Sequence, residues 1–463
     1  MNRTVVEVGQ EFPLKIKRMG INGEGIGYYK QAVVFVPGAL TGEEVIVEVT
    51  KTHKNYNEAF VKKIRRKSEL RVVPPCPIYE TCGGCELQHL AYSGQLDLKK
   101  DLLIQALEKH TNFKIEKLKI RDTIGMDEPF RYRNKSQFQA RMLDGRLKTG
   151  LFGANSHDLV PIEDCLVQDP RTVRITNAVR DHLNDLGIKA YNERKKTGVI
   201  RTIVVRVGVE TKEVQLVLVT TREKFHGKEE LVARITAEFP EIVSLMQNIN
   251  PDETSLIFGA DTVRLAGKDK MTEKLMEQQF DLSARAFFQL NPSQTNKLYA
   301  EVRNALTLTG NESLVDAYCG AGTIGLSLAE DVREVRGMDT VRDAILDAQE
   351  NALKNGVENA EYVVGAAEQV FSDWQKEGYK PDAVVVDPPR VGLDDELLRA
   401  ILSAKPKQLV YVSCNPSTLA RDLAVLEKRY RIRYLQPIDM FPMTAQVECV
   451  VKLTLKSNPK RNK

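Results

Sequence analysis

Apolar and polar residues alternate in short runs over residues 4–64, as at Phe12, Leu14 and Ile16, then over 32–36, then at Val45, Val47 and Val49. Glycine-rich turns at 20–27 and at Pro37-Gly38 separate the runs, so four or five strands of a small β-barrel are predicted. Residues 72–90 are rich in proline and cysteine and read as a linker, and 91–110 then place Leu96, Leu102, Leu103, Ala106 and Leu107 at helical spacing. From about 130 to 265 the pattern turns to β, with 199–207 and 214–219 as a strand pair and an amphipathic helix at 171–187 interrupting it. Beyond 290, apolar strands at 314–316, 334–339, 383–387 and 409–412 alternate with helical stretches, the signature of a parallel sheet. The expected fold is multidomain α/β: a barrel over 1–68, a central α+β domain over 69–90 and 125–270, and a Rossmann-like domain over 91–124 and 271–463.

Composition supports a folded chain, since 42% of its 463 residues are hydrophobic and 28% charged. The N-terminus lacks an apolar segment and no uncharged apolar run approaches ~20 residues, so a cytoplasmic protein with no membrane partner is expected. Seven unevenly spaced cysteines argue for metal or catalytic thiols over a disulfide framework. A net charge of +4 does not mark a polyanion-binding protein, but its distribution says more. Lys62, Lys63, Arg65, Arg66, Lys67 and Arg71 form one basic cluster, Arg131, Arg133, Lys135 and Arg141 a second, and a basic tail runs from Lys456 to Lys463. Such clusters suit phosphate contact.

Three strand ends carry chemistry. The first is the glycine-rich turn Asp316-Ala-Tyr-Cys-Gly320-Ala-Gly322, with Asp339 twenty-three residues beyond Asp316 at the end of the next strand, where a carboxylate can accept ribose hydroxyls. The turn lacks a clean G-x-G-x-x-G and resembles the S-adenosylmethionine loop of class I methyltransferases more than a dehydrogenase fold. The second is Asp387-Pro388-Pro389-Arg390, a stiff turn resembling the Asp/Asn-Pro-Pro motif of base methyltransferases. The third is Ser413-Cys414-Asn415-Pro416, where Asn-Pro stops an apolar strand and leaves the thiol at its end. Pyrimidine C5 is a weak nucleophile, so methylating it calls for a thiolate on C6 and a base for the C5 proton. Glu448 interrupts the last apolar strand, where an acid is costly unless it is paired or works in a pocket, and offers a carboxylate for that task.

Together, Asp-Pro-Pro-Arg-x-Gly at 387–392, Ser-Cys-Asn-Pro at 413–416 and Val-Glu-Cys at 447–449 resemble the RNA uridine-C5 methyltransferase family. That resemblance implies Cys414 as nucleophile, Glu448 as base, and Gln289, Tyr318, Asp339 and Asp387 as S-adenosylmethionine-binding residues. Phe287 and Arg390 are candidates for contact with the target base. The family's usual histidine two residues before the glutamate is Gln446 here, a change beside the base and not a loss of it. The barrel with Gly23-Glu-Gly-Ile-Gly27 resembles a TRAM domain, an OB-like RNA-binding module. Cys76, Cys82 and Cys85, with Cys165 as the natural fourth ligand, suit zinc or an iron-sulfur cluster by softness alone. Resemblance to cluster-bearing relatives favours [4Fe-4S]. By resemblance to relatives that carry both, barrel and cluster together imply 23S ribosomal RNA as substrate, at one or two uridines; a monomer is expected. The alternatives are a tRNA uridine-C5 methyltransferase and a non-catalytic RNA-binding ribosome assembly factor. A radical methylthiotransferase requires C-x₃-C-x₂-C spacing, which the chain lacks.

Overall fold

The computed structural model describes residues 6–154 and 156–457. Most of the basic tail lies outside them. Strands β1 (Glu11–Met19), β2 (Gly25–Tyr29), β3 (Ala32–Val36), β4 (Glu44–Thr52) and β5 (Tyr56–Arg66) close into a barrel in the order β1-β2-β3-β5-β4. Phe12, Leu14 and Ile16 point inward and their neighbours outward, as the alternation requires. The barrel is tight enough to demand glycine at Gly27, where a Cβ would come within 2.6 Å of the Leu14 side chain. One pairing, β3 with β5, is parallel.

Helix α1 (Tyr92–His110) follows the linker. It lies between two cores. Leu98 and Leu102 pack with Met19 and Leu40 of the barrel, Leu87 and Leu90 of the linker, and Ala445. Leu103, Ala106 and Leu107 join the core of the C-terminal sheet.

The central region is a seven-stranded sheet of β6 (Lys135–Leu143), β7 (Arg146–Phe152), β8 (Leu159–Pro161), β9 (Ile200–Val207), β10 (Val214–Thr220), β11 (Ile242–Ile249) and β12 (Asp261–Gly267), ordered β12-β11-β10-β9-β6-β7-β8. Helices α2 (Pro170–Asp185) and α3 (Lys228–Glu238) bury Ile175, Val179, Leu183, Leu231 and Ile235 against it. A hairpin of β13 (Met271–Leu275) and β14 (Gln278–Leu282) then packs onto the C-terminal core.

The C-terminal sheet alternates strands with helices: α4 (Pro292–Ala305), β15 (Ser313–Ala317), α5 (Thr323–Leu328), β16 (Glu334–Asp339), α6 (Arg342–Lys354), β17 (Ala360–Val364), α7 (Ala367–Lys376), β18 (Ala383–Val386), α8 (Asp395–Ala404), β19 (Gln408–Ser413), α9 (Pro416–Leu426), β20 (Tyr430–Ile438) and β21 (Glu448–Leu455). Its order is β17-β16-β15-β18-β19-β21-β20, with β21 antiparallel to both neighbours. Successive strand residues feed opposite faces, Leu314, Val385 and Val410 one core and Val315, Val384 and Tyr411 the other. Such strands must be apolar throughout, which is why they were legible. The order reverses between β15 and β18, and that switch point is where a ligand cleft opens.

Among the described residues no helix is long and apolar enough to cross a membrane. One expectation about the central region is corrected. It is a sheet with two helices and not an iron-sulfur domain, because no group of three or more His, Cys, Asp or Glu side chains among the described residues is arranged to hold a metal ion.

Candidate active site

A cleft of about 1080 Å³ lies along the C-terminal edge of this sheet, lined among others by Phe287, Gln289, Tyr318, Gly320, Asp339, Asp387, Arg390, Cys414, Gln446 and Glu448. It is slightly larger than the usual range for small-molecule clefts, so a nucleoside-sized ligand and an RNA base fit together. Every residue expected to bind the methyl donor or the base reaches this one space.

The glycine turn after β15 is built from left-handed backbone: Tyr318 at φ 64°, Gly320 at φ 54° and Gly322 at φ 77°. The side chain at Tyr318 makes that conformation costly, by about 1–3 kcal/mol. A Cβ on Gly320 would meet nothing within 4 Å, so the backbone there borders open cleft. Asp339 ends β16 and accepts from the Gly320 amide at 3.0 Å and the Val341 amide at 2.8 Å, which orients both oxygens while leaving lone pairs for a ligand. Behind the turn, Asp316 accepts from the Gly325 amide at 2.8 Å, and its other oxygen is buried without a partner. Desolvation, aided by Asp387 and Asp339, pushes Asp316 up to about 7. Desolvation alone pushes Asp387 up to about 7. Carboxyl groups outnumber the three arginines, Arg285, Arg390 and Arg421, along the cleft, which fits S-adenosylmethionine, whose sulfonium and ammonium carry positive charge.

Cys414 follows β19 directly. Ser413 pairs with Cys449, so one further step of the antiparallel register sets Cys414 opposite Glu448. Asn415 caps α9 by accepting from the Ser417 amide at 3.0 Å and donates to the Arg390 carbonyl at 2.8 Å, tying the thiol's loop to the Asp387 turn. Burial pushes the Cys414 thiol up to about 11, with Glu448 and Asp387 adding to the rise and Arg390 opposing it. Glu448 is only 8% exposed. Desolvation first and Asp387 second push it up to about 8, against Arg390 and Lys99. Gln446 is exposed at the cleft wall beside it.

The adjacent phenylalanines divide their work. Phe288 is 4% exposed in the core, whereas Phe287 is 65% exposed at the cleft, free to meet a base. Cys319 and Cys449 are buried in the two cores of the sheet.

The four-cysteine expectation is overturned. Cys76, Cys82, Cys85 and Cys165 line a common cavity of about 340 Å³. They do not form a ligand set there: among the described residues no metal-holding group is found, which removes both the [4Fe-4S] cluster and the zinc alternative. Desolvation raises Cys82 and Cys165 and pushes Cys85 up to about 12. No step is routed through a metal.

One group escaped the sequence reading. Lys99 on α1 is fully buried and donates to Asp439 at 2.5 Å and to the Phe441 carbonyl at 3.1 Å. Tyr92 donates to the second Asp439 oxygen at 2.8 Å, and Gln95 accepts from the Met443 amide at 2.9 Å. A lysine at the position between Leu98, Leu102 and Leu103 was the available signal.

Residues 254–456 match the family described as tRNA (Uracil-5-)-methyltransferase, and residues 5–62 match the TRAM domain. An uncharacterized RNA methyltransferase of Listeria monocytogenes is 62% identical, covering 98% of this chain and 100% of its own, and one of Enterococcus faecalis is 55% identical over 98% and 100%. Among solved structures, the Pyrococcus abyssi tRNA (uracil-54, C5)-methyltransferase in complex with S-adenosyl-L-homocysteine is 28% identical with a TM-score of 0.74, covering 95% of this chain and 99% of that one.

Proposed function

The chain belongs to the uracil-C5 RNA methyltransferase family and is an S-adenosylmethionine-dependent RNA methyltransferase with a TRAM barrel; from that premise we propose that it methylates C5 of a uridine in tRNA through a covalent Cys414 adduct. The observation that supports the chemistry is that Cys414 and Glu448, each one residue beyond the Ser413–Cys449 pair that ends the β19–β21 register, both line the donor cleft.

The bound donor supplies an electrophilic methyl group and a positive charge. Gln289, Tyr318, Asp339 and Asp387 hold it, Asp339 by accepting ribose hydroxyls. Phe287 stacks against a base, and Arg390 stabilises negative charge on the Cys414 sulfur and on Glu448. Cys414 Sγ, as thiolate, bonds to C6 of the uracil, and the C5=C6 pair shifts toward O4. C5 then takes the methyl carbon as the donor's sulfur–methyl bond breaks, its electron pair staying on sulfur and leaving neutral S-adenosyl-L-homocysteine. Glu448 removes the C5 proton, C5=C6 re-forms, and the S–C6 bond breaks to return the thiolate. One proton is released per methyl transferred.

The 23S ribosomal RNA expectation rested on barrel and cluster together, and the cluster has gone. The likeness to the archaeal tRNA enzyme supports tRNA, since 95% of this chain is too large a share to leave the barrel out. Mass-spectrometric mapping of 5-methyluridine in tRNA and rRNA, from cells with and without the gene, tests this. Loss from tRNA is expected; loss confined to 23S rRNA overturns the substrate. Methyl transfer persisting in purified Cys414→Ala overturns the covalent route.

A further inference from the structure

Nine residues, Asp439 to Val447, join β20 to β21 and deliver Glu448 to the cleft. They are irregular backbone, and one of them, Met443, holds φ 69°. A non-glycine residue there persists only when its surroundings over-determine it. A base that must meet a proton within hydrogen-bond reach cannot hang on a loose loop.

The surroundings are supplied largely by α1. Tyr92, Gln95 and Lys99 are spaced three and four residues apart, so they share one helical face. All three are engaged with this segment, Tyr92 and Lys99 at Asp439 and Gln95 at Met443. Gln95 also donates to the Leu87 and Leu90 carbonyls, and the Glu86 and Leu87 amides both reach the Met443 carbonyl, at 3.0 and 2.9 Å. On its other side the helix is fastened to the barrel, where Asp101 accepts from Arg18 at 2.9 Å and Gln105 donates to the Met19 carbonyl at 2.9 Å.

Lys99 is the costly member of this face. A buried ion pair is generally no more stabilising than well-packed apolar residues of the same volume, so its presence points to specificity of position. Its position is telling. Asp439 directly follows Ile438, and Ile438 is the cross-strand partner of Glu448. Fixing Asp439 therefore fixes the residue against which the base is registered.

We propose that Lys99 is a positioning residue for the base: by clamping Asp439 and the Phe441 carbonyl it holds the Ile438–Glu448 pair where the C5 proton can be taken. This rests on the reading that Glu448 removes that proton. Other charged groups facing Glu448 are Asp387 and Arg390, both from the turn after β18 and neither on α1.

A misplaced base slows proton removal without preventing thiolate addition or methyl transfer, so adduct builds up behind the slow step. In Lys99→Met, kcat falls about 10²-fold, the loss expected for a displacement near 1 Å. The KM for S-adenosylmethionine stays unchanged, and an SDS-stable protein–RNA adduct accumulates during turnover. The double variant Lys99→Met/Asp439→Leu leaves no unpaired buried charge and guards against a folding failure; it shows the same partition. Glu448→Gln runs alongside. If Glu448→Gln traps adduct and neither Lys99 variant does, the positioning role is overturned while the base stands. If none of them traps adduct, the base reading falls and takes this inference with it. A rise in the KM for S-adenosylmethionine matching the fall in kcat also overturns it, because the defect then lies in the cleft at large.

Discussion

Replacing Glu448 by glutamine should make the protein more stable as the pH rises, even as it stops turnover. The carboxyl ordinarily titrates at 4.5 and is pushed up to about 8 in the fold, chiefly by desolvation. Each tenfold change in proton affinity is worth about 1.4 kcal/mol. At pH 7 the unfolded chain ionises this group and the fold keeps it protonated, so native stability is lower by about 3 kcal/mol than at pH 4.5. The sign follows from the raised value: the contribution is intact below 4.5 and is lost progressively as pH climbs through about 8. Glutamine never ionises and escapes the loss. Its amide can carry a burden of its own, about 1–3 kcal/mol if a donor goes unpaired, but that burden does not vary with pH. The diagnostic is therefore a slope. Urea unfolding of both proteins at several pH values between 4.5 and 8 should show the stability difference moving in favour of Glu448→Gln by about 3 kcal/mol between pH 4.5 and 7. Asp316 and Asp387 titrate in the same window and are present in both proteins, so they largely cancel. A difference that stays flat across the window refutes the buried, protonated carboxyl.

Turnover should rise with pH through about 8 as Glu448 becomes able to accept a proton, and Arg390→Gln should move that limb to higher pH because it removes the cation that favours both charged groups; a pH–rate profile with an unmoved limb contradicts this. Phe287→Ala should raise the KM for RNA by roughly 5- to 100-fold, the worth of one stacked base at about 1–3 kcal/mol, with the KM for S-adenosylmethionine unchanged in steady-state assays. Asp339→Asn should weaken S-adenosyl-L-homocysteine binding roughly 10- to 100-fold in calorimetry, because a charged acceptor for ribose hydroxyls is worth about 1.5–3 kcal/mol.

The strands of the C-terminal sheet could be read from the chain because burial on both faces demands unbroken apolar runs, and the chemistry at their ends because such sheets bind ligands at that edge. Asp339, Asp387 and Cys414 sit at the ends of β16, β18 and β19 for that reason. The barrel was legible from alternation and from glycines that its tight interior requires, as at Gly27. Sequence motif also went too far. Resemblance to cluster-bearing relatives implied a cluster on four cysteines, yet a shared spacing along the chain says nothing about how half-buried thiols are disposed around a cavity, and with the cluster went the argument for ribosomal RNA.

By itself, then, the sequence pointed to the class of reaction, because the proposed nucleophile, proposed base and donor loop each lie on a short motif that resembles those of one family. The tertiary structure decided what depends on residues distant in the chain. Only the pairing of β19 with β21 brings Cys414 and Glu448 to one cleft, and only folding brings Lys99 to Asp439, 340 residues on, by burying a charge in a helix face that reads as apolar. Protonation at the base was likewise invisible beforehand, since desolvation belongs to the assembled cleft and to no single stretch of residues.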